Sequence, residues 1–180
     1  MTLWYPEQNS DAIVPYPFAV RQMGGDNATC ENVTFVNAYQ GIDIGPDFNE
    51  LHYLHHIYGT ILKLGIRFDV TTDIGRLETI HLSPGYWIHS GLPGAPSRPQ
   101  AFKKWMRENS TAIHMLRSDW EYGTDVTVEG YHTGLLISGS PRGFPNAQFS
   151  DFNLIDCTRP LYIKGSNKIG LAFTRCRFEG

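Results

Sequence analysis

Val33-Thr-Phe-Val-Asn-Ala-Tyr-Gln-Gly-Ile-Asp-Ile44 aligns without gaps on Val126-Thr-Val-Glu-Gly-Tyr-His-Thr-Gly-Leu-Leu-Ile137, and Phe152-Asn-Leu-Ile-Asp-Cys-Thr-Arg-Pro-Leu-Tyr-Ile163 fits the same frame. Each copy is an alternating strand, a polar or small corner, then Gly or Pro and a second strand. Gly65-Ile-Arg-Phe68 and Gly85-Tyr-Trp-Ile88 read as further second strands. A unit recurring every 20 to 25 residues or so cannot bury its apolar face alone and must stack on its neighbours. The pattern therefore predicts a β-solenoid with one coil per repeat.

Composition agrees with that fold. In 180 residues there are 18 Gly and 11 Pro, many at the expected corners, which suits short strands joined by frequent turns. A net charge of −3 gives no electrostatic case for nucleic acid or an anionic membrane. No apolar run approaches the roughly 20 residues a membrane helix needs. The chain does not open with a basic region followed by an apolar stretch, as a signal peptide would. Cys157 and Cys176 fall at matching points of neighbouring repeats; free thiols side by side are expected, with a disulfide as the alternative.

Residues 1–29 read as a strand near 3–5 and a Pro-rich connection. Coils follow over 30–46, 51–70 and 74–89. In the second of these the two-residue period holds only locally, which predicts a bulge. Gly, Pro and Ser dominate 91–98. Residues 100–116 then take helical spacing through Phe102, Trp105, Met106 and Ile113, with Pro99 suited to a first helical turn. Segment 90–124 is accordingly read as an insertion, and coils resume at 125–138, 147–165 and 168–180. The last copy stops after its first strand without a polar capping repeat. The chain thus reads as one β-helix domain cut from a longer solenoid, its end covered by the rest of a parent chain or by a partner subunit.

The phrase Asn-Val-Thr-Phe-x-Asn followed by Gly-Ile-Asp-Ile, on coils of this length, resembles the right-handed parallel β-helix proteins of the pectate-lyase-like superfamily. That group includes glycoside hydrolases, polysaccharide lyases and phage tailspikes. The resemblance covers nearly all of 30–180 outside the helical segment. It implies an all-β, right-handed parallel β-helix, a polysaccharide or oligosaccharide as partner, no cofactor, and an extracellular or cell-surface setting. The chain lacks the polygalacturonase pattern of Asn-x-Asp followed by Asp-Asp, its Gly-His-Gly and its Arg-x-Lys. It also lacks the clustered aspartates and arginine motif of pectate lyases. No catalytic residue is carried over, and fold alone does not fix function.

Candidate residues come instead from strand alternation. With Ile42, Ile66, Tyr86, Leu135 and Leu161 inward, one outward stripe runs Asp43, Arg67, Trp87, Leu136, Tyr162. Such a wall of aromatic and charged groups suits a sugar, whose ring faces stack on aromatics while its hydroxyls take hydrogen bonds. Asp43 and Arg67 can equally be a cross-strand ion pair, and Trp87 can pack under the helix. A second cluster, Arg117-Ser-Asp-Trp-Glu-Tyr122, sets Asp119 and Glu121 beside Trp120. If extended, both carboxylates share one side, as an acid and a base of glycoside hydrolysis would. Asp43, Asp119 and Glu121 are the catalytic candidates; Arg67, Trp87, Trp120 and Tyr162 are the substrate-binding ones. His52, His55 and His56 suggest a metal, but on a strand only His52 and His56 share a face and no Cys or carboxylate completes a set, so no metal ligand is assigned.

Three readings follow. The leading one is a glycoside hydrolase segment, preferred over a lyase because the stripe offers one Arg and no Lys for an acidic substrate. The second is a non-catalytic glycan-binding or tailspike-like solenoid. The third is a structural spacer.

Overall fold

The aligned positions of the repeat stack in register. In the computed structural model, which describes residues 1–180, Val33 pairs with Ile57, Ile57 with Ile80, Ile80 with Val126 and Val126 with Phe152, all in parallel. A second column runs Ile42, Ile66, Ile113, Leu135, Leu161. The result is a parallel β-solenoid of about 7 turns, 54% strand and 8% helix. Apart from the half-buried Leu161, the members of these columns belong to one continuous core of 31 buried residues. No coil holds a core of its own, so each depends on the next.

The first ladder stacks Thr29–Ile44, Tyr53–Phe68, Arg76–Leu82, Glu121–Glu129 and Ala147–Ile155, then Leu171–Thr174 and Arg177–Phe178. The second stacks Phe18–Gln22, the C-terminal halves of the two long strands, Thr111–Met115, Thr133–Ile137 and Arg159–Ile163. A small third sheet joins Gly25–Asp26, Asn49–Glu50 and Thr71–Asp73.

One conformational device recurs in the first ladder. Asn32, His56, Thr79, Asp125, Asp151 and Arg175 all have φ between 51° and 57° and stand in one column. A left-handed residue interrupts the alternation, so the chain turns a corner and resumes inward pointing one residue later, at Val33, Ile57, Ile80, Val126, Phe152 and Cys176. Three of the six are Asn or Asp, which tolerate this backbone; a β-branched Thr does not. A second left-handed column contains Asn27, Leu51, Ile74, Trp120 and Gly170.

Between the ladders the coils approach closely. A methyl group added at Gly41, Gly65 or Gly134 would collide with the carbonyl oxygen of Gly65, Ala112 or Pro160 in the next coil. This is the physical content of the Gly in the repeated phrase. The expected irregularity is there too: pairing between the two long strands shifts between Phe35 and Ala38 and again between Ala38 and Gln40. Inside this corner the fully buried Tyr131 hydroxyl accepts the Ile61 N–H at 3.1 Å, and burial raises its pKa strongly.

Three expectations need correction. The excursion from the solenoid is 83–110, not 90–124: Thr111–Met115 is the second strand of its coil and Glu121–Glu129 the first strand of the next. Gly85–Ile88 is a helical turn, not a strand. Pro84 cannot donate to a ladder, Ser83 Oγ accepts the Gly85 N–H, and Thr60 Oγ1 accepts the Trp87 N–H. Trp87 is therefore fully buried rather than outward, edge-on to Phe102 of the helix Pro99–Asn109 with ring centroids 5.1 Å apart. Finally, Cys157 and Cys176 are free thiols but not neighbours in register; Cys176 occupies the column of Phe152.

Two stability measurements check this architecture. Tyr131→Phe leaves the Ile61 N–H buried without an acceptor and is expected to cost about 1–3 kcal/mol in denaturant unfolding. Thr79→Asn, at a left-handed corner, is expected to stabilise by several tenths to about 1 kcal/mol; a loss of stability would contradict the role assigned to this column.

Candidate functional site

The corrected register redraws the outward stripe as Arg21, Asp43, Arg67, His114, Leu136, Tyr162. Asp43 lies between two arginines. Its Oδ1 accepts Arg67 Nε at 2.7 Å, and its Oδ2 accepts Arg21 Nε at 2.9 Å and Arg67 Nη2 at 3.0 Å. Its side chain is wholly covered. Arg67 also lies over the Phe18 ring at 5.5 Å. This is the ion-pair alternative of the sequence reading. Further along, His114 Nε2 meets Ser138 Oγ at 2.9 Å. Burial, with Arg67 and Lys164 nearby, lowers its pKa to about 4, against a smaller opposing effect of Asp69. Tyr162 is partly exposed, with Arg159 and Lys164 each 5.3 Å from its ring centroid.

Asp119 and Glu121 do not share a side. Trp120 between them has φ 58°, so the segment turns instead of extending. Glu121 is fully buried, with His52 Nε2 at 3.1 Å from its Oε1 and Ser118 Oγ donating to its Oε2 at 2.7 Å. Gly75 makes room for this group; a methyl there would strike both Glu121 and His52. Asp119 accepts Arg117 Nη2 at 2.5 Å. The three candidate carboxylates share no partner, and each is satisfied where it stands.

A groove that follows the stack lies on another face, ahead of the left-handed corner column. Here two outward columns run side by side: Tyr53, Arg76, Tyr122, Gln148, Ala172, and His55, Glu78, Thr124, Ser150, Thr174. Between them Leu77, Gly123 and Phe149 form the floor. The longer side chains make rims and the small ones a trough, giving a groove of about 420 Å³ across four coils. Ser150 Oγ donates to Thr124 Oγ1 at 2.9 Å, and the Tyr53 hydroxyl donates to Glu78. Glu78 holds the Tyr53 phenol above its ordinary pKa. Arg76 and Glu78 are the only ionic groups lining the groove and offset one another. A recess of about 110 Å³ continues from it, sharing Gln148 and Ala172 and edged by the exposed Trp120.

Of the expected binding residues, only Trp120 adjoins this groove. Arg67 and Tyr162 lie on the other stripe, and Trp87 is in the core. Alternation alone misplaces the groove: carried back from Ile80, Val126 and Phe152 it would turn Glu78, Thr124 and Ser150 inward, and only the left-handed corner at Thr79, Asp125 and Asp151 turns them outward. Extended four residues toward the N-terminus, the repeat reads Arg76-Leu-Glu-Thr-Ile80, Tyr122-Gly-Thr-Asp-Val126 and Gln148-Phe-Ser-Asp-Phe152. In two of these copies an Asp before the inward residue is the sequence signal of that corner, and in the first a Thr stands there. Nowhere do three or more His, Cys, Asp or Glu side chains converge on a point where a metal ion could sit. No protein-family model matches the chain, and neither curated proteins nor solved structures give a match.

Two predictions follow from these contacts. Glu121→Ala strands His52 and Ser118 in the core and is expected to destabilise by roughly 3 kcal/mol. For His114, a folded pKa of about 4 lies below its ordinary value of 6.5. The unfolded chain then binds more protons between these values, and the contribution of His114 to stability is lost as pH falls from 6.5 towards 4. The difference in unfolding midpoint between the parent chain and His114→Gln should therefore shift against the parent chain across that window.

Proposed function

We propose that this solenoid is a non-catalytic glycan-binding module that takes a neutral oligosaccharide or polysaccharide along the groove between Arg76 and Thr174. The observation that carries this is the trough itself. It is long, shallow and lined by hydroxyls, an amide and Tyr122, with one cation, one carboxylate and an exposed Trp120 beside its recess. Sugar hydroxyls find donors and acceptors at each coil, spaced about 4.8 Å apart, and ring faces find aromatic surface. The balance of Arg76 against Glu78 favours a neutral chain over a uronate polymer.

Binding is preferred to hydrolysis on chemical grounds. Glycoside hydrolysis uses two carboxyl groups about 5–9.5 Å apart across the scissile bond. The groove has only Glu78, and it is occupied by the Tyr53 hydroxyl. A lyase acting on acidic polymers would want several cations where Arg76 stands alone.

The test is a screen of neutral and acidic oligosaccharides by calorimetry, with turnover followed in parallel. A neutral glycan should bind without being cleaved, and Tyr122→Ala or Gln148→Ala should weaken it about tenfold or more, given the energies of buried aromatic and hydrogen-bond contacts. Affinity unchanged by both substitutions would remove the groove from consideration. Cleavage lost in Glu78→Gln would restore the hydrolase reading.

A further inference from the structure

His55 and His56 are successive residues whose rings meet outside the solenoid. On a regular strand they would point to opposite faces. His56, however, occupies the left-handed corner column with φ 53°, and this turns its ring back onto that of His55. The two Nδ1 atoms stand 2.8 Å apart, with ring planes inclined at 72°. The orientation of His55 is fixed from two further sides. Tyr53 stacks on it at 4.2 Å, and Glu31, its partner in the preceding coil, sets Oε2 2.7 Å from Nε2. His56 is exposed, so water can reach the pair.

With Glu31 ionised and both rings neutral, the contacts assign the protons. Glu31 can only accept, so the His55 proton lies on Nε2 and its Nδ1 presents a lone pair. His56 then supplies the one proton between the two rings, from its own Nδ1. A carboxylate on the far nitrogen of a histidine is the arrangement that orients a metal-ligating imidazole and raises its basicity.

We propose that His55 and His56 form a solvent-open, exchangeable site for a divalent copper or nickel ion, with Glu31 as positioning residue and water in the remaining coordination places. Two nitrogens 2.8 Å apart, each about 2.05 Å from an ion, subtend roughly 85° there. That angle fits tetragonal or octahedral coordination and is narrow for tetrahedral zinc. Imidazole donors suit copper and nickel. On binding, His56 exchanges its Nδ1 proton for one on Nε2 through solvent, so both rings enter as neutral ligands and no net proton is released. With only two protein ligands the ion exchanges readily. The site does not rest on the glycan reading, and it sits one coil before Glu78 in the same outward column.

The experiment adds Cu²⁺ to the full chain near neutral pH and reads both calorimetry and electron paramagnetic resonance at one equivalent. One saturable site with hyperfine coupling to two imidazole nitrogens is expected. His55→Gln and His56→Asn should each weaken it at least tenfold; Asn is chosen because it tolerates the left-handed backbone. Glu31→Gln should weaken it about tenfold while leaving the two-nitrogen spectrum in place. His81→Ala and His89→Ala, at a separate surface cleft, should change nothing. Circular dichroism confirms that each variant is folded. The proposal is overturned by a spectrum with one nitrogen or none, by an affinity indifferent to His55→Gln and His56→Asn, or by a site that disappears with His81→Ala.

Discussion

Parallel pairing between successive coils is the constraint on which everything else rests. The strands of one coil do not pair with each other. Its strand amides and carbonyls are satisfied by the coils above and below, and burial of one unpaired would cost as much as a lost hydrogen bond. Each coil must therefore keep the register of its neighbour, and register fixes which side chains are inside. Val33, Ile57, Ile80, Val126 and Phe152 fall into one column for that reason, as do Ile42, Ile66, Ile113, Leu135 and Leu161.

The corners obey the same constraint. In the column just before Val33, Ile57, Ile80, Val126 and Phe152 each coil turns through a left-handed residue at the same height, and the strands on either side stay paired. Six residues as different as Asn32, Thr79 and Arg175 share one backbone conformation in this stack. The excursion 83–110 leaves and re-enters between paired strands without disturbing the column, and Trp87 fills space the solenoid itself leaves at that corner.

This organisation also sorts the charged groups. Asp43, Asp119 and Glu121 are bound into arginine, histidine and serine contacts that hold neighbouring coils or a turn together. In the outward columns ahead of the left-handed corner the ties between coils are Ser150 to Thr124, Tyr53 to Glu78 and Glu31 to His55, and small and polar side chains leave a trough there. The same corner brings His55 and His56 into contact, which a straight strand would not. Candidate chemistry thus gathers where the backbone departs from simple alternation.

The repeated phrase carried the fold because its signal is local: alternating apolar residues, a Gly or Pro, and a fixed interval. A short periodic pattern of this kind is determined by the pleat, which every strand shares. Local spacing also placed the bulge and the start of the helix at Pro99, but not its end, since 111–115 is a strand although the helical spacing runs on to 116. The phrase Gly85-Tyr-Trp-Ile88 mimics that pattern, yet Pro84 and the hydroxyls of Ser83 and Thr60 turn it into a helix; which neighbours reach it is a tertiary matter. The site residues depended still more on tertiary structure. Asp43 reads as exposed from its parity, but two arginines from neighbouring coils cover it. Asp119 and Glu121 read as one pair until Trp120 turns left-handed between them. Parity along a strand is a property of the sequence. What stands one coil away, and where the chain turns, was decided by the stacking of residues far apart in the chain.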